Sequence, residues 1–272
     1  MKPAPFSIHI PDTIDEAVAC LAEHGEEARV IAGGQSLMAM LNMRLAEPSI
    51  LVDVSRLADL KKLEIGPDGL TVGAATTQAE VFHHPDLATH MPLVREALTH
   101  VGHIQTRNRG TVCGSLCHAD PSAEMPLLLA TLGGTVTLQS SSGTRTLSAS
   151  EFQTGLLETA KQQGELCISA HFPSLPSSAR WGFREIARRD GDFAIVAMAC
   201  IADKGTVRLG VGGVSDAPTV EEWSDLSTAD IPDALNRLAW KMGGTDDIHA
   251  SARYRRELVR RIGQKLIEET LS

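Results

Sequence analysis

The sequence predicts an α/β (α+β) fold made of two mixed subdomains and a smaller C-terminal one. Helical and strand patterns alternate over residues 13–54, and short strand patterns become frequent from about residue 60. Three strand patterns followed by two helical ones fill residues 180–272. Alternating strands and helices are typical of α/β units, whereas strands followed by helices indicate an α+β arrangement.

The first predicted helix begins at a capping box, Thr13–Glu16, whose side chains satisfy backbone N–H groups that a helix start leaves free. A strand at residues 28–32, a helix at 36–46 and an apolar strand at 50–54 follow. These elements predict a first subdomain at residues 1–58.

The next stretch mixes short strands and helices, and we predict a second subdomain at residues 59–173. Its predicted strands are residues 62–65, 70–74, 135–139, 144–147 and 166–172. Its predicted helices include residues 78–83, 92–101 and 125–132, the last opened by Asp120 as N-cap and Pro121 as first residue.

A break rich in proline and serine, residues 173–178, is the best candidate for a linker. Beyond it we expect a C-terminal subdomain at residues 179–272 with a three-stranded antiparallel sheet and two helices. The predicted strands are residues 180–189, 194–202 and 207–214, and the last helix is residues 249–269. Its arginine-rich face is either solvated or a subunit contact.

Composition narrows the classes of partner. The net charge of −9 with interspersed signs argues against nucleic acid or an anionic membrane as the main partner. No apolar run approaches the ~18 residues of a membrane span, and the N-terminal residues lack a signal-peptide pattern, so we expect a cytoplasmic protein. Five scattered cysteines indicate reduced thiols rather than disulfides. The Cys113 and Cys117 pair has no second pair to complete a metal site.

The most informative segment is Arg29–Leu37, in which an apolar strand enters two glycines and then a helical pattern. A helix start leaves backbone N–H groups without partners, and glycines let an anion approach them. This segment therefore predicts a seat for a diphosphate. The alternative is an ordinary turn from strand to helix.

A second segment, Gly102–Glu124, carries further small and hydroxyl residues. Gly110, Thr111, Gly114 and Ser115 predict a second backbone-lined loop suited to phosphate or to ribityl oxygens. Two such loops suit one extended ligand. Glu124, in the first turn of the next predicted helix, is either a partner of the helix dipole or an acceptor for a ligand hydroxyl.

Together these segments resemble the FAD-binding medium subunit of the molybdenum hydroxylases, the family of xanthine dehydrogenase and aerobic carbon monoxide dehydrogenase. The resemblance rests on four ordered groups of residues: Ala32–Leu37, Gln105–Glu124, Trp181–Ala194 and Asp246–Arg255. It implies a two-subdomain FAD-binding fold of the vanillyl-alcohol-oxidase/PCMH type, followed by the small C-terminal subdomain.

The resemblance also implies which residues hold FAD. The Gly33–Gly34 turn and the Thr111–Ser115 segment would hold the pyrophosphate. Glu124 matches an acidic position near the ribityl chain, and Cys167 falls close to the flavin. The implied cofactor-binding residues are Ile31, Ala32, Gly33, Gly34, Gln35, Ser36, Leu37, Val101, Gly110, Thr111, Gly114, Ser115, Cys117, Glu124 and Cys167. Cys113 and Glu185 depart from the family, which usually has glycine and often lysine there.

The implied function is electron transfer by non-covalently bound FAD, with no residue of this chain catalytic toward substrate or ligating a metal. Molybdenum pterin would lie on a large subunit and [2Fe-2S] clusters on a small subunit, in a dimer of heterotrimers. The Rossmann and Walker A glycine patterns are absent, which disfavours a nicotinamide dehydrogenase or an NTPase. Two alternatives stay open: a free-standing FAD-dependent reductase on a similar fold, and a scaffold subunit without cofactor.

Overall fold

The computed structural model describes residues 2–272, and Met1, the first residue of the predicted first subdomain, lies outside them. A parallel sheet of three short strands in the order β1-β3-β2 opens the chain. Its elements are β1 (Ser7–His9), α1 (Ile14–His24), β2 (Ala28–Ile31), α2 (Leu37–Asn42) and β3 (Ile50–Asp53). Thr13 caps α1 by accepting the Glu16 N–H at 3.1 Å, as predicted. Helix α2 is shorter than predicted, because Arg44 turns the chain with a φ of 56°.

The second region is built on a five-stranded antiparallel sheet in the order β4-β5-β10-β6-β7. Its first elements are β4 (Leu63–Gly66), β5 (Gly69–Gly73), α3 (Gln78–Phe82), α4 (Leu87–His90), α5 (Pro92–His100), α6 (Ile104–Arg109), α7 (Val112–His118) and α8 (Glu124–Leu132). The rest are β6 (Thr135–Ser140), β7 (Gly143–Ser148), α9 (Ala149–Phe152), β8 (Gln153–Gly155), β9 (Glu158–Thr159) and β10 (Leu166–Pro173). Strand β10, predicted as buried, is the central strand.

One predicted helix start in this region is wrong. Helix α8 begins at Glu124 with Ala123 as its N-cap, rather than at Asp120 and Pro121. The Asp120 carboxylate instead accepts the N–H of Ser122 at 2.8 Å, which makes a local turn of the kind aspartate favours. Because that turn uses the side chain of Asp120, the helix starts three residues later than an Asp-Pro pair suggests.

The C-terminal sheet has four antiparallel strands, so the predicted three-stranded sheet is wrong by one strand. Its elements are β11 (Arg180–Ile186), β12 (Val196–Asp203), β13 (Thr206–Gly212), β14 (Thr219–Ser224), α10 (Ile231–Met242) and α11 (Ala252–Leu271). Strand β14 lies at the sheet edge and carries two consecutive glutamates, as edge strands often carry charge, and this hides its strand pattern. The two predicted helices are present, although α11 begins after a Ser251 cap rather than at His249.

Helix α8 lies in the middle of the molecule and packs against β10, β12, β13, α5 and α7. All of its residues except Ala130 are buried. A helix that is apolar on every side is normally enclosed by other elements, and each buried leucine contributes about 1.5–3 kcal/mol. The helix therefore holds its first residue, Glu124, at a fixed place inside the fold.

The strands of the three main sheets fall within residues 7–53, 63–173 and 180–224. One hydrophobic core joins the first two sheets and includes Phe183 from the third, while a second core lies between the third sheet and helices α10 and α11. The subdomain boundaries at 1–58, 59–173 and 179–272 stay a prediction. Across residues 2–272, no helix has the length and apolar character needed to cross a membrane.

Candidate functional site

The turn between β2 and α2 packs directly on the end of helix α6. A Cβ at Gly33 would overlap the carbonyl oxygen of Arg109 and come within 2.8 Å of the Gly110 Cα, so only glycine fits there. Gly34 has a φ of 71°, a conformation that L residues rarely adopt. The two segments that the sequence marks for one ligand therefore touch through their backbones.

The same turn presents unused backbone donors. Within residues 2–272, the N–H groups of Gln35, Ser36 and Leu37 donate no hydrogen bond. Ser36 precedes α2 but its side chain does not cap the helix, and Gln35 is exposed and donates only from Nε2 to the Gly33 carbonyl at 3.3 Å. Unpaired N–H groups at a helix start are suited to an anion.

The Thr111–Ser115 segment is the first turn of helix α7, so the predicted second loop is wrong. Thr111 is the N-cap, and its hydroxyl accepts the Gly114 N–H at 3.0 Å. The N–H of Val112 donates to the Thr76 carbonyl, and that of Ser115 to the Thr111 carbonyl. Because the Thr111 cap already pairs backbone N–H groups at the start of α7, this segment offers fewer donors to a ligand than the Gly33–Gly34 turn does.

Gln78 is a residue of this region that the sequence did not indicate. Its N–H donates to the Gly110 carbonyl at 2.8 Å, and its side chain is 4% exposed. The side-chain Oε1 is buried without a hydrogen-bond partner and lies 3.3 Å from where a Cβ of Gly110 would stand. A buried acceptor without a partner costs about 1–3 kcal/mol, which a ligand donor would recover. The only feature of the sequence that could have indicated Gln78 is its position directly after Thr77, the N-cap of α3.

Two predicted residues, Cys117 and Cys167, form a cluster of thiols with Cys113. The Cys167 thiol and burial raise the pKa of Cys117 well above its usual range. The Cys113 thiol and burial raise the pKa of Cys167 in the same way, while the Cys117 thiol acts in the opposite direction. The Cys113 thiol also donates to the Val72 carbonyl at 3.6 Å, inside the core. Helix α7 spans about 9 Å from Thr111 to Cys117 at 1.5 Å per residue, so the thiols lie one short helix from the glycine turn.

Arg107 bonds to the carbonyl of Val101 and lies close enough to Glu124 for its charge to act on that carboxyl group. Arg107 Nη1 donates to the carbonyls of Val101 and Gly102 at 2.8 and 3.1 Å. Glu124 is 6% exposed, and burial above all, then the charges of Glu185 and Asp120, raise its pKa to about 8, while the backbone N–H of Glu124 and the charge of Arg107 oppose the shift. Glu124 is therefore mostly protonated at neutral pH. Among the hydrogen bonds of residues 2–272, none joins it to residues 31–37.

A cavity of about 480 Å³ lies away from these residues, between Ser140–Arg145 and Gln162–Glu165. Arg145 in its wall is already paired with Glu165 at 2.7 Å and donates to the Ala160 carbonyl. It offers no unpaired charge to a ligand. The glycine turn, Gln78, the thiols and Glu124 therefore form the better candidate site, with backbone donors for an anion and buried polar groups for hydroxyls and ring heteroatoms.

Comparison with known proteins agrees with this arrangement. A family model described as the FAD binding domain in molybdopterin dehydrogenase matches residues 4–175. The nicotine 6-hydroxylase medium subunit of Paenarthrobacter nicotinovorans is 37% identical and aligns over 96% of this chain and 94% of its own. The 6-hydroxypseudooxynicotine dehydrogenase complex subunit alpha of the same organism is 34% identical over 100% of this chain and 96% of its own.

Structural comparison extends the likeness to the whole chain. A chain in the crystal structure of quinoline 2-oxidoreductase from Pseudomonas putida 86 superposes with a TM-score of 0.90 at 34% identity, over 99% of this chain and 98% of that one. The family match includes every predicted cofactor residue, and both named relatives are subunits of oxidoreductases. This chain therefore belongs to the family of FAD-binding medium subunits of the molybdopterin dehydrogenases, the molybdenum hydroxylases.

Proposed function

We propose that this chain holds FAD without a covalent bond, accepts electrons from an iron–sulfur subunit and passes them to an external acceptor. The observation that carries the proposal is the Gly33–Gly34 turn, whose three unpaired N–H groups face no protein acceptor and whose backbone packs on Gly110. FAD suits such a junction because, once bound, it exchanges electrons singly or in pairs.

Different residues of the site would bind different parts of FAD. The N–H groups of Gln35, Ser36 and Leu37 would hold the diphosphate, and the missing side chain at Gly34 gives it room. Gln78 supplies a buried acceptor, and Glu124 supplies a carboxyl group for a hydroxyl or ring atom. The predicted cofactor residues would line this site, with fewer hydrogen bonds from the N–H groups of Thr111–Ser115 than from those of Gln35, Ser36 and Leu37.

Two observations on the cysteines support non-covalent binding by a protein that keeps its cofactor. Covalent attachment through sulfur needs a thiolate, and the raised pKa values of Cys117 and Cys167 keep these thiols neutral. The side chain of Cys113 is 1% exposed and points into the core, so it takes no room from the ligand. The five unpaired cysteines also fit the reducing cytoplasm.

We propose that the partners are an iron–sulfur small subunit and a molybdenum-pterin large subunit, in a dimer of heterotrimers. The nicotine 6-hydroxylase relative is named as a medium subunit, which implies that it has partner subunits. This chain exposes an apolar patch made of Ile104, Phe193 and Ile248, whose exposed fractions are 58%, 64% and 87%. The segments of Ile104 and Phe193 lie together, because a Cβ at Gly191 would come within 2.5 Å of the His103 ring. The segment of Ile248 lies near them, because His249 is close enough to Asp192 for its charge to act there. Exposed apolar side chains grouped in this way are typical of interaction sites.

Co-purification from the native host with an affinity tag on this chain tests the proposal. Two partner chains should accompany it in equal stoichiometry and bring iron and molybdenum with them, and acid precipitation should release all of its FAD. The chain alone should oxidise no substrate, but after its FAD has been reduced by a chemical reductant it should pass the electrons to artificial acceptors. A lone tagged protein that turns over a substrate would favour the free-standing reductase, and a folded protein with no affinity for FAD would favour the scaffold.

A further inference from the structure

Arg255, close to the start of helix α11, is a buried cation that the proposed function does not use. It is 4% exposed, and its Nε atom is shielded from solvent without a hydrogen-bond partner. Charged side chains are rarely buried unless they are paired, and the helix dipole disfavours a cation near a helix N-terminus. The other nitrogen atoms of the guanidinium group therefore need strong partners, and the place of those partners indicates what Arg255 holds.

Two of the partners are backbone carbonyls on separate segments. Arg255 Nη1 donates to the carbonyl of Ile195 at 2.6 Å and to that of Gly213 at 2.5 Å. The two segments touch, because a Cβ at Gly213 would come within 2.7 Å of the Ile195 carbonyl oxygen. Ile195 also donates its N–H to the Ile186 carbonyl at 2.7 Å. Arg255 therefore fastens the end of the loop between β11 and β12, just after Phe193.

The third partner is the carboxylate of Asp247. Arg255 Nη2 donates to it at 2.5 Å, and the same carboxylate accepts the N–H groups of His249 and Ala250 at 2.8 and 2.9 Å. Burial opposes ionisation, but the two N–H groups and Arg255 together keep the pKa of Asp247 below its usual range. Asp247 is therefore ionised at neutral pH and shapes the turn that carries Ile248.

One guanidinium group thus joins two of the three segments that carry the apolar patch. Phe193 and Ile248 are exposed on loops, so their places depend on how firmly the backbone beneath them is held. Surface groups that are already fixed lose less entropy when a partner binds. Asp192 pairs with Arg189 at 3.0 Å beside Phe193, which places charge next to the apolar side chains, as at the polar rim of a protein interface.

We propose that the Asp247–Arg255 ion pair builds this patch, and that Arg255 is a positioning residue for binding of the partner subunit. It holds the segments of Phe193 and Ile248 in one arrangement before the partner arrives, and its burial keeps it from contacting the partner directly. This inference rests on the proposed function, because the patch has a purpose only if a partner subunit binds there. It adds a buried ion pair to the determinants of that contact.

Arg255→Met tests the proposal in the tagged full chain, because it removes the charge and all three hydrogen bonds. Hydrogen exchange, measured by mass spectrometry, should become at least about tenfold faster in peptides that cover residues 187–195 and 246–250. Recovery of partner chains should fall by at least about tenfold. FAD per chain should be retained, because within residues 2–272 Arg255 donates no hydrogen bond to the Gly33–Gly34 turn.

Arg260→Met is the matched control. Arg260 lies on the same helix and bonds to Glu257 and Asn236, which belong to neither segment of the patch. This variant should leave hydrogen exchange in both segments and recovery of partners unchanged.

Asp247→Asn keeps the proposal testable if Arg255→Met does not fold. Asparagine can still accept the N–H groups of His249 and Ala250, and Arg255 keeps its two carbonyl partners, but the ion pair is lost. Exchange in residues 246–250 should become faster, and recovery of partners should fall while FAD is retained.

Equal recovery of partners with folded Arg255→Met and with Arg260→Met would overturn the proposal, and so would unchanged hydrogen exchange in both segments. Loss of FAD together with the partners would also overturn it, because that result indicates a general role in folding. If even the unaltered chain brings no partner, the proposed function fails, and hydrogen exchange in the isolated chain still decides whether Arg255 holds the two segments.

Discussion

At the residue scale, two positions in the glycine turn have different reasons to be glycine. Gly33 allows contact with the Arg109 carbonyl, so any side chain there would separate the two segments of the site. A Cβ at Gly34 would come within 3.3 and 3.4 Å of the Met38 and Ile31 side chains, which would have to move slightly, and the φ of 71° disfavours any L residue. Gly34 can therefore be changed to probe the ligand with less damage to packing.

We predict that Gly34→Asp empties the FAD site. Its carboxylate would stand near the diphosphate, and like charges about 4 Å apart near a protein surface repel by on the order of 4 kcal/mol. Gly34→Ala carries the same backbone strain without the charge and should keep much of its FAD. Absorbance of the purified variants measures FAD per chain, and a full complement in folded Gly34→Asp would contradict the proposed seat.

The buried acids predict an unusual dependence of stability on pH. Folding raises the pKa values of Glu124 and Glu185 from 4.5 to about 8 and about 7. The folded chain therefore binds more protons than the unfolded chain above about pH 4.5, so the stability is complete below that pH and is lost as pH rises through 7 and 8. Urea unfolding of the FAD-free protein should show a loss on the order of a few kcal/mol between about pH 5 and 9.

The double variant Glu124→Gln, Glu185→Gln is the control for this pH dependence. It cannot lose protons at these two positions, so its free energy of unfolding should vary less with pH than that of the unaltered chain. An identical pH profile for both proteins would mean that the two acids titrate normally in the folded state.

At the element scale, helix α7 connects the parts of the candidate site. It starts with the Thr111 cap beside Gly110 and ends near the Cys117 thiol that contacts Cys167. We predict that Thr111→Val lowers the free energy of unfolding by about 1 kcal/mol, because the Gly114 N–H loses its acceptor. Thr111→Ser keeps the hydroxyl and should preserve stability. Equal losses in both variants would show that the methyl group, and not the cap, matters.

Helix α8 illustrates how one element gives a polar residue its properties. The buried surroundings of Glu124, and not its position in the first turn of α8, determine how strongly this residue holds a proton. A carboxylate at a helix N-terminus gains about 0.3–1 kcal/mol from the dipole, but burial acts in the opposite direction and is the larger influence here. Burial therefore favours the protonated form of Glu124, whereas the choice between a dipole partner and an acceptor for a ligand hydroxyl stays a prediction.

At the scale of the whole molecule, the apolar patch of Ile104, Phe193 and Ile248 predicts where a partner subunit binds. Phe193→Ser should reduce the yield of partner chains with the tagged protein by at least about tenfold, the effect of about 1.4 kcal/mol in a binding equilibrium. Leu156→Ser is a matched control, because Leu156 is 60% exposed on the β8–β9 hairpin. Equal recovery of partners with both variants would exclude the patch from the interface.

The sequence by itself determined most of the elements, the glycine turn and, through the resemblance, the family. These features depend on local patterns: capping boxes, apolar periodicity, and glycines between a strand and a helix. It predicted loop structure at Thr111–Ser115, a helix start at Asp120 and only three strands in the last sheet. Each of those errors concerns a segment whose conformation depends on a hydrogen bond or a strand pairing that local pattern does not specify.

Only the tertiary structure decided which distant residues meet and what charge they carry. The contact of Gly33 with Arg109, the unpartnered Oε1 of Gln78 and the thiols around Cys167 each join segments far apart in the chain. The proton on Glu124 depends on burial by elements that pack from several sides and on Glu185, 61 residues further along the chain. Desolvation and charge act through space, so a pattern in the sequence can identify an acid but cannot assign its protonation state.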